Sequence, residues 1–129
     1  MNTRFLMTSS AVFLAVLGLC LTFLPKETSL LLQAGDDAFS LLAMQMLGAT
    51  YLGFAMLNWM AKGMIIGGIY AKPIAVGNFM HFAISAITLL KLNFSITGIQ
   101  TGLIVITVVM SLFAIWFGIV FRTNPKAVA

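Results

Sequence analysis

Four runs of about twenty residues, each almost free of charge, limit what this chain can fold into. They are Phe5 to Leu24, Ala38 to Ala61, Ile74 to Leu90 and Thr101 to Phe121. At a helical rise of 1.5 Å per residue, twenty residues span roughly 30 Å, the thickness of a bilayer's hydrocarbon core. The chain is 61% hydrophobic and 8% charged over 129 residues. One water-soluble core of that size could not bury so much apolar surface. The expected fold is therefore all-α, a single membrane domain over residues 1–129 built as a four-helix transmembrane bundle.

The ends of the runs carry ordinary stop and start signals. Arg4 precedes the first run and Pro25-Lys26-Glu27 stops it; Pro73 begins the third; Arg122, Asn124, Pro125 and Lys126 end the fourth. The first run exceeds the apolar stretch of a cleaved signal peptide and no small-residue cleavage site follows, so it reads as a retained anchor. The linker from Pro25 to Asp37 holds every acid in the chain, Glu27, Asp36 and Asp37, and its Ser29-Leu30-Leu31-Leu32-Gln33 stretch suits the membrane interface. The linker from Lys62 to Pro73 contains Gly67-Gly68 among apolar residues and reads as an interfacial or partly re-entrant turn.

Basic residues in short loops set orientation. Arg4, Lys62, Lys72, Arg122 and Lys126 fall on one side, against Lys26 and Lys91 on the other. The expectation is N-in/C-in in the inner or plasma membrane, as a multi-pass protein with cytoplasmic termini. Trp59, Trp116 and Tyr70 fall near that cytoplasmic interface as belt residues. The net charge of +4 comes from residues scattered singly. That pattern fits topology anchors rather than a surface tracking a phosphate backbone, and nucleic acid is not an expected partner.

Placed at helical steps of 100°, small and hydroxyl residues gather on single faces. In the first run these are Thr8, Ala11, Ala15, Gly18 and Thr22, and in the fourth Thr107, Ser111, Ala114 and Gly118. In the second run Gln45, Gly48, Ala49 and Gly53 share a side that drifts around the helix. In the third, Asn78, His81, Ser85 and Thr88 share one face and bring real hydrogen-bonding groups. Such stripes serve close helix packing, and they could equally line a polar cavity. Polar groups at membrane depth mark sites to inspect. Asn78, His81, Ser85, Thr88, Gln45, Asn58 and Tyr51 therefore form the candidate cavity or packing site. His81 reads as a structural histidine satisfied by Ser85, Asn78 or a carbonyl, as a proton-linked or ligand-contacting group, or as part of a subunit interface.

Catalysis needs positioned acids, bases or nucleophiles. The three carboxylates sit together on one linker without a histidine, and no metal-ligand spacing, triad or phosphate-cradling loop occurs. With one histidine and one cysteine, haem, metal and dithiol chemistry have no ligand set, so no cofactor is expected. The chain also lacks the membrane-buried glutamate of small multidrug antiporters and the Thr-Thr-Phe-Ser run of small fluoride channels.

An apolar first helix ends in Pro25, an acidic linker ends at Asp36-Asp37, and Leu47-Gly48-Ala49-Thr50-Tyr51-Leu52-Gly53 lies in the second helix. In this layout the chain resembles the small four-helix bacterial membrane proteins of the DoxX-like group and kindred domains of unknown function. That group often has an arginine shortly before the Gly-Ala step, where this chain has Met44, Gln45 and Met46. The resemblance implies an architecture and no functional residue. The expected function is an accessory or structural membrane subunit that binds lipid or a partner, as a homo-oligomer or in a larger membrane complex, without catalysis of its own. The competing expectation is a small oligomeric channel or transporter with a polar path along the third helix.

Overall fold

The break between the first two helices follows from one proline. Pro25 has no N–H to donate and disfavours helical geometry in the preceding residue. Helix α1, Thr3–Phe23, therefore stops at Leu24, whose own N–H still bonds the Cys20 carbonyl at 2.9 Å. A new helix, α2, Pro25–Leu32, starts with the proline in its first turn. Thr28 turns its hydroxyl back onto the same Cys20 carbonyl at 3.2 Å, so the end of α1 is satisfied from within α2.

The computed structural model describes residues 2–64, 66, 71–98 and 100–123. Among them are five helices, completed by α3, Ala38–Ala61, α4, Lys72–Ser95, and α5, Thr101–Arg122, and no strand. Four of the five, α1, α3, α4 and α5, are long and apolar enough to cross a membrane. The chain divides into two compact units, Asn2–Lys62 and Gly63–Ala129.

In the first unit, α1 packs antiparallel on α3, with α2 between them in sequence. Helix α2 ends on Gln33, whose left-handed φ of 51° lets Gln33 and Ala34 donate back to Leu30 and Ser29. The buried Ser29 hydroxyl bonds the Ala34 and Gly35 carbonyls at 3.0 and 2.8 Å and fixes the turn. Asp37 then caps α3, accepting from the N–H groups of Phe39 and Ser40 and from the Ser40 hydroxyl. The Ser40 hydroxyl, followed by those backbone donors, holds the Asp37 carboxyl below the usual carboxylate range.

In the second unit, α4 packs antiparallel on α5. Helix α4 runs five residues past the expected end at Leu90, to Ser95. Lys91 and Asn93 suggest a loop by composition, but Lys91 stays exposed. Asn93 finds two acceptors inside the pair, the Leu89 carbonyl at 2.9 Å and the Thr107 hydroxyl at 2.8 Å. The expected interfacial turn before α4 falls largely on Ile65 and residues 67–70, outside the described residues, as do Tyr70 and the tail from residue 124.

Candidate functional site

In the α1–α3 pair, glycine decides how close the helices come. A Cβ on Gly48 would collide with the Thr22 hydroxyl and lie 2.8 Å from the Thr22 nitrogen and 2.9 Å from the Gly18 carbonyl oxygen. A Cβ on Gly18 would lie 2.9 Å from the Gly48 carbonyl and 2.8 Å from Leu52 Cγ. No side chain fits there, so the two backbones meet directly, the arrangement small residues permit in membrane helices. On α1, Ala11 and Gly18 are buried, flanked by Leu6, Met7, Ser10, Leu14 and Leu21.

A polar clasp lies toward the Arg4 end of that pair. Asn58, fully buried, donates from Nδ2 to the Ser10 hydroxyl at 3.0 Å, and Ser10 in turn donates to the Met7 carbonyl at 3.1 Å. Tyr51 is buried on the same helix. Gln45 is exposed, and its Nε2 reaches the Thr22 carbonyl at 3.4 Å. At the end of α3, Lys62 Nζ stands 3.1 Å from the centre of the exposed Trp59 ring.

The α4–α5 pair is filled with rings instead. Phe82 is fully buried, 5.0 Å from Phe113 and 5.5 Å from Phe117, the latter nearly parallel at 11°. Phe79 stacks on Phe121 at 6.2 Å. The second polar clasp repeats the chemistry of the first: Thr107 Oγ1 accepts from Asn93 Nδ2 while donating to the Leu103 carbonyl at 2.7 Å.

The seven sequence-derived candidates divide between the units. Gln45, Tyr51 and Asn58 belong to the first, and Asn78, His81, Ser85 and Thr88 to the second. On α4 the buried stripe is Ala75, Asn78, Phe82 and Ala86. Of the polar face only Asn78 shares it, its Nδ2 bonded to the Ile74 carbonyl at 3.0 Å. His81 and Ser85 are half-buried and Thr88 is exposed. At 100° per residue the centre of the polar face lies roughly a quarter turn from the buried stripe. His81 meets Phe82 edge-on at 5.3 Å.

Sequence reasoning did not single out Asn93 or Ser10. Their signal was available only as a pair across two helices, which periodicity on one helix does not carry. Each unit also opens an apolar groove. One, of about 540 Å³, runs between α1 and α3 past Ala11, Ala15, Leu52, Ala55 and Trp59. The other, of about 600 Å³, runs between α4 and α5 past Phe79, Ala114, Gly118 and Phe121 to Arg122. Among the described residues, no three or more His, Cys, Asp or Glu side chains come together as a metal site. No family model, curated protein or solved structure matches the chain.

Proposed function

We propose that this chain is a small multi-pass subunit of the inner or plasma membrane. In this reading its four long helices form one transmembrane bundle with cytoplasmic termini, which acts by binding lipid or partner helices and performs no catalysis of its own. The observation that carries the reading is the outer surface of α3. Its most apolar stretch is only 17% buried, and Phe39, Leu42, Met46, Met56 and Met60 are each more than half exposed. In water such a surface would aggregate; against acyl chains or another helix it is solvated. The distribution of reactive groups supports the same reading, with Glu27 in the first turn of α2, Asp37 committed to capping α3, and the single histidine in the other unit. The orientation rests on the excess of Lys and Arg at the Arg4, Lys62, Lys72 and Arg122 ends.

Extraction in mild detergent tests the subunit reading. A homo-oligomer or a larger complex is the expected species by light scattering and native mass spectrometry, and a lipid-free monodisperse monomer overturns it.

A second reading, a polar-lined conduit in a small channel or transporter, is favoured by one observation. The face holding His81, Ser85 and Thr88 is rotated roughly a quarter turn from the Phe82 stripe that packs on α5. In proteoliposomes it predicts a pH-dependent flux of protons, halides or small cations that changes in H81A. Absence of any flux from the wild type rejects it.

A further inference from the structure

We infer that the groove between α4 and α5 seats one acyl chain of an anionic phospholipid, with Arg122 and Lys72 holding its phosphate. The inference rests on the membrane-subunit reading and names the ligand of that subunit.

Shape and charge carry it together. The groove is a trough of about 600 Å³, within the range of roughly 300–1,000 Å³ that small ligands fill. Ala114 and Gly118 form its floor on α5, and Phe79 closes one wall. A Cβ on Gly118 would sit 3.1 Å from the Phe79 ring. Every lining residue is apolar except the last, Arg122. Lys72 joins it there from α4, with Nζ 5.9 Å from the centre of the Phe121 ring, which also lines the trough. Two cations therefore stand at one end of an otherwise apolar channel.

No Asp or Glu side chain in their own unit neutralises them. The last acidic residue in the sequence is Asp37, so the stretch from Gly63 onward holds Lys72, Lys91, Arg122 and Lys126 and no Asp or Glu side chain. Arg122 closes the last turn of α5, whose carbonyls offer only about half a negative charge. Cations at a membrane surface draw anionic headgroups, each basic residue adding about fivefold to the partition.

Length selects a chain over a helix. From Ala114 to Arg122 the trough extends about 12 Å at 1.5 Å per residue. A docked transmembrane helix would require contact along much of roughly 30 Å. Free phosphate would meet the cations and leave the apolar floor uncovered. An amphiphile with a negative head and an apolar tail satisfies both ends.

The test uses the full chain in detergent with phosphatidylglycerol and phosphatidylcholine of identical acyl chains, read by native mass spectrometry. The wild type is expected to retain phosphatidylglycerol in preference. Lys72→Gln and Arg122→Gln should each lower that retention about fivefold and leave phosphatidylcholine unchanged. Ile115→Trp, at a groove position that is 62% exposed and so tolerant of bulk, should lower retention of both lipids. Lys26→Gln with Lys91→Gln, at basic positions outside the groove, should change neither. Equal retention of the two lipids by the wild type overturns the proposal, whatever the variants do. So does full displacement of phosphatidylglycerol by inorganic phosphate, or an equal loss in the Lys26/Lys91 variant. Loss of the preference in an intact oligomer removes this site alone; a lipid-free monomer removes the subunit reading and the site with it.

Discussion

In the α1–α3 pair the helices meet where Gly18 and Gly48 leave no side chain between the backbones, whereas in the α4–α5 pair the space is filled by Phe82, Phe113 and Phe117. The two pairs nevertheless share one device. In each, an asparagine amide crosses to a hydroxyl that is itself bonded to a carbonyl one turn back, Asn58 to Ser10 and Asn93 to Thr107. The placement differs. Asn58 lies near the free ends of its pair, and Asn93 lies near the turn that joins α4 to α5. At the ends of α4 and α5 remote from that turn the Arg122 groove opens.

The difference in packing predicts different sensitivities, and the largest is at Gly48. Gly48→Leu places a side chain where backbone atoms block it on two sides. It should cost about 3 kcal/mol or more, at or beyond the usual range for overpacking. Gly53→Leu, with nothing within 4 Å of its Cβ position, should be neutral or gain roughly 0.5–1 kcal/mol from helix propensity. SDS-titrated unfolding of both variants compares them directly. Equal stability would show that close approach is not what holds this pair.

Next in size is Phe82→Ala. Lipid removes part of the transfer term, and the cavity left between Phe113 and Phe117 dominates. A loss of roughly 2–4 kcal/mol is expected, and Phe82→Leu should recover most of it because its volume fills the gap. A large loss in Phe82→Leu as well would point to ring stacking over volume.

The smallest effect separates the clasps. Asn58→Leu and Asn93→Leu should each cost about 0.6 kcal/mol and no more than about 1.7, the range for interhelical hydrogen bonds in membranes. Paired with Ser10→Ala and Thr107→Val in double-mutant cycles, each should show coupling only within its own pair. Coupling of Asn58 to Thr107 would break the division of the chain into two independently tied units.

The number and order of the apolar helices were legible because hydropathy over twenty residues is a strong signal, whereas the length of α4 was not. The bounds of α3 at Ala38 and Ala61 follow from Asp37 before it and Lys62 after it. Which face of each helix packs was far less legible. In lipid, apolar and small residues are equally acceptable on both sides, so Leu6, Met7 and Leu14 could join the buried side of α1 without any polar contrast to mark it. Helix α4 shows the consequence most plainly. Its polar residues announced one face, yet the buried stripe centres on Phe82, whose value lies in partners on α5 that the α4 sequence does not contain. Helix α2 was hidden for a related reason, since Ser29-Leu30-Leu31-Leu32 reads equally as interfacial coil, and the Pro25 start and Gln33 stop become decisive only together.

The separate ties of the two units bear on the order in which the protein is made. Gly18, Gly48, Ser10 and Asn58 have all been synthesised by Lys62, with at least 67 residues still to come. At roughly 5–20 residues per second, that remainder takes about 3–13 s, far longer than two adjacent helices need to meet. The first pair can thus close before the second leaves the ribosome, and a defect at Gly48 would be felt in an unfinished hairpin rather than in a weakened whole.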